Sequence, residues 1–263
     1  MRVSLVQGAT RWHDATANRA YYEALVRPLK QSTDLVVLPE MFLSGFTNDT
    51  DANAETMDGK GMEWLRTLAG EIDAVITGSL IVSAGGDRCV NRLVWMRPDG
   101  SHAHYDKRHL FRMAREHERF ASGQQRLVVE LAGWRICPLV CYDLRFPVWM
   151  RNRHDRLTDC VDYDLALVVA NWPSPRREAW RTLLRARAIE NLAYCVGVNR
   201  SGTDGNAIAY AGDSAALDFL GRPLVEFGAQ EQVATVTLDM AALAAHRERF
   251  PAWMDADAFD LTL

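Results

Sequence analysis

The sequence predicts an α/β fold in which two mixed β-sheets lie inside and helices cover them outside. Three observations predict it. The apolar segments are continuous, without polar alternation, which indicates strands buried on both faces. The turn signal Pro98-Asp99-Gly100 sends one strand back antiparallel, so a purely parallel sheet is excluded. Finally, "DLVVLPEMF" and "DLALVVANWP" occupy similar positions in the two halves of the chain.

The first half alternates strands with a helix. The helix begins after Asp14 or Thr16, either of which can cap it, and its apolar residues recur at helical spacing as far as Leu29. Pro39 stops the second strand. The predicted strands of this half are Val3–Gln7, Leu35–Leu38, Ala74–Val82, Asn91–Met96 and Ser101–Tyr105.

The second half repeats this organisation. A helix is expected over Arg176–Asn191, with Trp180 and Leu184 on its apolar face and its arginines, beginning with Arg176, on a solvated face. No linker or change in composition interrupts the chain, which favours a single domain over 1–263. The predicted strands are Trp134–Val140, Asp164–Ala170, Tyr194–Asn199, Ala215–Phe219, Pro223–Phe227 and Val233–Leu238.

The composition excludes several classes of protein. With 48% hydrophobic and 24% charged residues it is that of an ordinary globular chain, and the net charge of −4 disfavours nucleic acid and anionic membranes as partners. Five cysteines without a CxxC pair argue against a disulfide framework or a zinc ribbon. Since no apolar signal or membrane-spanning segment is present, we expect a cytoplasmic protein.

One cysteine stands where a strand turns into a polar segment. "LVCYDLRFP" ends an apolar run on Cys141, and the backbone N–H of Tyr142 would then be free to stabilise an oxyanion. A buried cysteine that only fills space is the alternative. A nucleophilic role requires a base and a cation from elsewhere in the chain.

Glu40 and Lys107 are the candidates for these roles. Glu40 directly follows a buried strand, where partial desolvation would raise a carboxyl pKa toward that of a general base. Lys107 lies just beyond the hairpin and would stabilise a developing oxyanion. Taken singly, a helix-start glutamate and a solvated surface lysine remain open as alternatives.

Three motifs in order, "LPEMF", "DKRHLF" and "CYDLRFP", resemble those of the nitrilase (carbon–nitrogen hydrolase) superfamily. "NWP", "RARAIEN" and "VNRSGTDGNAIAYAGDS" extend the resemblance over nearly the whole chain. It implies a four-layer αββα sandwich, with Glu40 as base, Lys107 as oxyanion cation and Cys141 as nucleophile. It also implies a second glutamate that orients the lysine, for which the distance to Gly123 favours Glu116 over Glu118.

The motifs are most similar to the ω-amidase branch, which acts on terminal amides of small keto or dicarboxylic acids through a cysteine thioester. Arg145 would then hold the substrate carboxylate, or alternatively pair with Asp143 or another carboxylate of the chain. Phe46, Tyr142 and Trp172 would form walls of the cleft, or alternatively belong to the core.

No cofactor or metal is expected, and the resemblance implies a homodimer or higher homo-oligomer. The aromatic residues of the C-terminal tail, Phe250, Trp253 and Phe259, would pack on a partner subunit or, alternatively, on their own chain.

Other functions remain open from the sequence. The substrate is another small amide or an N-carbamoyl compound in one alternative, and a catalytically silent binding protein on the same fold is a second. A thiol redox sensor is a third. A Cys–His protease using His109 or His154 lacks a protease-like sequence around Cys141.

Overall fold

The computed structural model describes residues 1–85, 88–155, 158 and 160–261 of the chain. Its helices are α1 (Ala15–Val26), α2 (Thr50–Asn53), α3 (Lys60–Ile72), α4 (Pro147–Met150), α5 (Arg177–Asn191) and α6 (Met240–Arg249). Its strands are β1 (Arg2–Gln7), β2 (Leu35–Val37), β3 (Val75–Ser83), β4 (Cys89–Met96), β5 (His102–Asp106), β6 (Val129–Leu131), β7 (Trp134–Val140), β8 (His154–Asp155), β9 (Cys160–Val161), β10 (Leu165–Ala170), β11 (Tyr194–Asn199), β12 (Ser201–Thr203), β13 (Ala209–Ala211), β14 (Ala215–Leu217), β15 (Pro223–Glu226) and β16 (Gln232–Thr237).

Two six-stranded mixed sheets form the interior. The first has the order β16-β1-β2-β3-β4-β5, with β1, β2 and β3 parallel and the other pairs antiparallel. The second has the order β15-β14-β11-β10-β7-β6, with β11, β10 and β7 parallel. Each sheet therefore has a parallel centre with antiparallel strands at both edges, as the Pro98-Asp99-Gly100 turn predicts for the first.

Alternation along the strands decides which layer each side chain joins. In β1, Val3 and Leu5 lie in the core between the two sheets, whereas Val6 faces outward and packs with Tyr22 of α1. On the outside of the second sheet, Trp180 and Leu184 of α5 lie so close to β11 that a Cβ on Gly197 would meet Leu184 at 2.6 Å. Helices cover both outer faces, and the predicted αββα sandwich is confirmed.

Most predicted elements lie within two residues of the observed ones. Asp14, not Thr16, caps α1, because its carboxylate accepts the N–H of Ala17 at 2.9 Å. Helices α2, α3, α4 and α6 and the short strands β6, β8, β9, β12 and β13 were not predicted. Pro138 has no N–H to donate to a neighbouring strand. It is tolerated inside β7 because, in the described part of the second sheet, β6 pairs only with residues 134–136 and does not extend to residue 138.

The tail beyond α6 is partly packed on its own chain. The Trp253 ring contacts that of His154 at 4.3 Å between centroids, whereas Phe250 is 58% exposed. None of the helices in the described ranges has the length and apolar character that crossing a membrane requires.

Candidate active site

Three strand ends deliver the predicted chemical groups to one place. Glu40 follows β2 after Leu38-Pro39, Lys107 is the first residue after β5, and Cys141 is the first residue after β7. Strand β2 belongs to the parallel centre of the first sheet and β7 to that of the second, and loops that follow parallel strands commonly form sites. The predicted convergence of Glu40, Lys107 and Cys141 is observed.

The buried charges form a triad around the lysine. Lys107 Nζ lies 2.9 Å from Oε1 of Glu40 and 3.0 Å from each carboxylate oxygen of Glu116. All three side chains are fully buried. Of the two glutamates that the sequence offered, Glu116 contacts Lys107, whereas Glu118 lies near the surface and pairs with Arg115.

Two asparagines that the sequence analysis did not assign to the site support Glu40. Asn91 Nδ2 in β4 donates to Oε1 at 2.7 Å, and the backbone N–H of Asn171 donates to Oε2 at 2.8 Å. Asn91 also lies 3.3 Å from Oε1 of Glu116. A signal was available for both residues, because each is a polar residue within or directly after a buried apolar strand, where it needs a partner.

Cys141 occupies a left-handed turn. Its φ is +46°, a region that residues other than glycine and asparagine seldom adopt, and only 9% of its surface is exposed. The turn lifts the thiol out of the line of β7 toward the cavity described below. The backbone N–H of the next residue, Tyr142, donates to no group within the described part of the chain and so remains available for an oxyanion.

Burial and neighbouring charges set the protonation of the site. Burial, followed by the negative charge and hydrogen bond of Glu40, raises the pKa of the Cys141 thiol well above its usual value, although Lys107 opposes the shift. Burial alone would lower the pKa of Lys107, but Glu116 and Glu40 outweigh it and raise that pKa. The thiol is therefore neutral at rest and needs a base, whereas the ammonium stays charged.

A cavity of about 470 Å³ opens onto the thiol. Phe46, Arg145 and Trp172 line it, as predicted, together with Trp12, which was not predicted. The Phe46 ring lies 5.3 Å from Lys107 Nζ, and the Arg145 guanidinium stacks over Trp172 at 4.9 Å. The segment 204–210, part of "VNRSGTDGNAIAYAGDS", contributes another wall.

The arginine predicted on a solvated helix face is part of this cavity. Arg176 ends a short 3₁₀ turn just before α5, and its guanidinium lies 5.3 Å from the centre of the Phe111 ring in the cavity wall. The solvated-face prediction is wrong for this residue because the turn changes the direction of the chain before the helix begins. Arg181 and Arg185 remain on the helix surface near Glu226.

Two guanidiniums in the cavity have no carboxylate partner. Across the described ranges, neither Arg145 nor Arg176 forms an ion pair. The alternative pairing of Arg145 with Asp143 is wrong, because Asp143 accepts hydrogen bonds from Tyr105 and His109 instead. The cavity therefore presents two uncompensated positive groups to a ligand.

The carboxylates of the same cavity are already engaged. Asp204 accepts the N–H groups of Asn206 and Ile208 and the hydroxyl of Tyr210, at 2.8, 3.0 and 2.9 Å. Asp49 caps α2. Within the described residues neither carboxylate forms an ion pair with Arg145 or Arg176, so both guanidiniums are available to a small anion whose other end reaches the thiol.

Comparison with known proteins yields one family. The model of the carbon–nitrogen hydrolase family matches residues 2–248. A protein named Omega-amidase YafV from Yersinia enterocolitica is 46% identical over 98% of each chain. A 2-oxoglutaramate amidase from Bacillus subtilis is 28% identical over 96% of each chain.

Solved structures agree with this result. A carbon–nitrogen hydrolase superfamily protein from Xanthomonas campestris, with an arsenic adduct in its active site, is 57% identical and superposes with a TM-score of 0.97 over 100% of this chain and 99% of that one. An amidase from Nesterenkonia, in a glutamate-to-glutamine variant with acrylamide added to its active-site cysteine, has 25% identity and a TM-score of 0.82, covering 96% of this chain and 98% of that one.

Proposed function

Because the chain belongs to the carbon–nitrogen hydrolase family and is an amide-hydrolysing enzyme, we propose that it cleaves the terminal amide of a small keto acid or dicarboxylic acid monoamide. The products are ammonia and the free acid. The observation that carries the proposal is the pair of unpartnered guanidiniums, Arg145 and Arg176, in the same cavity as the Cys141 thiol. The names of the relatives, Omega-amidase and 2-oxoglutaramate amidase, support the same substrate class.

Acylation begins with the neutral thiol. Glu40 accepts the proton of Cys141 as the sulfur attacks the amide carbonyl, and the carbonyl electron pair moves onto oxygen. The Lys107 ammonium and the Tyr142 N–H stabilise this oxyanion. Glu40 then donates its proton to the amide nitrogen, the C–N bond breaks, and ammonia leaves a thioester on Cys141.

Deacylation reverses the proton transfers. A water molecule gives its proton to Glu40 and attacks the thioester, with the same two donors on the oxyanion. The C–S bond breaks, Glu40 returns the proton to sulfur, and the acid departs. Glu116 takes no proton in this scheme and instead fixes the Lys107 ammonium through both of its oxygens.

Substrate binding uses the far end of the cavity. Arg145 and Arg176 hold the carboxylate, since a guanidinium presents paired N–H donors to carboxylate oxygens. Phe46 and Trp172 enclose the short acyl chain between this carboxylate and the thiol. A charge-assisted contact of this kind is worth about 1.5–3 kcal/mol, so an amide without a carboxylate should be a much poorer substrate.

The test is ammonia release from paired amides. Succinamate and 2-oxoglutaramate are compared with butyramide, which has a similar chain length and no carboxylate. Cys141→Ala should abolish turnover while leaving the fold intact, and the exposed Cys160→Ala is the matched control, because that thiol lies outside the cavity. Mass spectrometry of the protein with substrate should show the acyl group on Cys141.

The outcomes separate the alternatives. Equal turnover of butyramide and succinamate would refute the substrate class but leave amide hydrolysis in place. Release of ammonia from N-carbamoyl compounds alone would favour the other substrate class. Substantial turnover by the Cys141→Ala variant would refute the nucleophile.

We also propose that the chain is a single-domain homo-oligomer of the cytoplasm. The exposed aromatic ring of Phe250, close to the C-terminus, supports a subunit contact. Sedimentation that detects only monomer would refute it.

A further inference from the structure

We infer that Asp143 is a positioning residue that ties the turn carrying Cys141 to the segment carrying Lys107. The inference rests on the proposed function, since it concerns the geometry in which those two groups share an oxyanion. Asp143 lies two residues beyond the nucleophile and is fully buried, yet it takes no part in the proton transfers proposed above. We call its carboxylate and the groups bonded to it, from Tyr105, His109 and Val140, the Asp143 staple.

One oxygen of the staple joins the two segments directly. Oδ2 accepts the hydroxyl of Tyr105 at 2.8 Å and the backbone N–H of Val140 at 3.1 Å. Tyr105 lies in β5 two residues before Lys107, and Val140 is the residue immediately before Cys141. The Tyr105 hydroxyl is itself fixed, because it accepts the indole N–H of Trp149 at 3.0 Å.

The other oxygen of Asp143 contacts the chain two residues after Lys107. Oδ1 accepts the backbone N–H of His109 at 2.9 Å and lies 2.8 Å from Nδ1 of the same residue. An ionised carboxylate is an acceptor only, so this contact places the imidazole proton on Nδ1. The imidazole is in turn stacked on Phe146, with 3.7 Å between ring centres. Asp143 therefore binds the chain on both sides of Lys107, at Tyr105 and at His109.

Only a carboxylate satisfies this arrangement. Four donors converge on two oxygens, and an amide side chain would place its own N–H₂ against two of them. The staple also explains how the left-handed backbone of Cys141 is maintained, because a strained residue persists only where its surroundings fix it. Loosening the staple should therefore let the thiol and the ammonium move apart without removing either group.

The test compares variants at the two ends of the staple. Asp143→Asn should lower kcat about 10²-fold, the cost of a displacement of about 1 Å in a reacting group. Tyr105→Phe, which removes a single hydroxyl, should lower kcat about tenfold, with KM little changed in both variants because neither residue lines the substrate cavity. His109→Gln, whose amide can still donate to Oδ1, should retain more activity than His109→Phe. Asp99→Asn, in an exposed turn, is the matched control.

A second readout needs no substrate. Hydrogen exchange in the segment 139–144 should be faster in Asp143→Asn, since the amide has only one oxygen for the backbone N–H groups of Val140 and His109, and unchanged in Asp99→Asn. Exchange and kcat that both equal those of the wild type would overturn the inference, as would a loss of kcat that only follows the unfolded fraction. If the wild type releases no ammonia, the proposed function fails, whereas the exchange measurement still decides whether the staple holds the turn.

Discussion

Glu116→Gln should lower turnover while leaving the free energy of unfolding nearly unchanged. Lys107 lies 3.0 Å from Oε1 of Glu116, a distance at which two unit charges attract by about 5 kcal/mol at an effective dielectric constant of about 20. Burial of the carboxylate opposes this gain, and burial together with the charge of Glu40 raises the pKa of Glu116 despite the nearby ammonium. A raised carboxyl pKa means that the ionised side chain stabilises the fold less than its protonated form does. The contribution of Glu116 to the free energy of unfolding therefore falls as the pH rises from the pKa of the unfolded chain to the raised pKa of the folded protein.

Glutamine has the shape of that protonated form. We therefore expect the free energy of unfolding to change by no more than about 1 kcal/mol, or about 4 °C in Tm. Turnover should fall about 10²–10³-fold, because the Lys107 ammonium loses its carboxylate contacts with Glu116 and its fixed position at the oxyanion.

The assay measures ammonia release from succinamate together with thermal unfolding. The matched control is Glu118→Gln, two residues along, whose carboxylate pairs at the surface with Arg115 and should be dispensable. The reasoning is refuted if Glu116→Gln keeps kcat within about threefold of the wild type, well short of the loss expected for an oxyanion group. A collapse of Tm in Glu116→Gln would show instead that the buried charge stabilises the fold.

Three further predictions concern Glu40, the two arginines of the cavity and the buried Tyr22. Glu40→Gln should lower turnover about 10²–10⁴-fold. It should also lower the pKa of Cys141, because it removes a negative charge that opposes the thiolate. The pH profile of iodoacetamide alkylation measures this pKa, and a value at or above that of the wild type would contradict the prediction. Arg145→Met and Arg176→Met should each raise KM for succinamate about 10–100-fold while changing butyramide hydrolysis little, and an equal loss on both amides would contradict the carboxylate role. Burial raises the pKa of Tyr22 to about 12, so the folded protein keeps this proton above pH 10 and the unfolded chain loses it. The difference in free energy of unfolding between the wild type and Tyr22→Phe should therefore be constant below pH 10 and shift against the wild type between pH 10 and 12. Denaturant melts of both proteins over a pH series measure this difference, and a difference that does not change with pH would contradict it.

The fold was predictable because its signals are local. Continuous apolar strands, a helix cap at Asp14 and a turn at Pro98-Asp99-Gly100 each depend on a few neighbouring residues. The helix over Lys60–Ile72 was missed although its apolar residues have helical spacing. The site was predicted through three ordered motifs, whose residues the structure brings together.

The supporting residues were harder to find. Asn91 and Asn171 act through hydrogen bonds to Glu40 from strands far away in the sequence, and Arg176 enters the cavity only because a short turn redirects the chain before α5. Asp143 was considered as a partner for Arg145, but besides the nearby Val140 N–H its partners are His109 and Tyr105, which lie 34 and 38 residues away. No periodicity in the sequence encodes such distances.

The sequence by itself predicted the layers of the sandwich, the family of the chain and the three groups to which we assign the chemistry, because hydrophobic patterning and motifs are properties of short segments. Tertiary structure alone decided how those groups are charged and what the cavity prefers. Burial and approach between distant segments set the pKa of the thiol, keep the ammonium charged and leave two guanidiniums without a carboxylate. These effects depend on distances in space, which exist only once both sheets are packed.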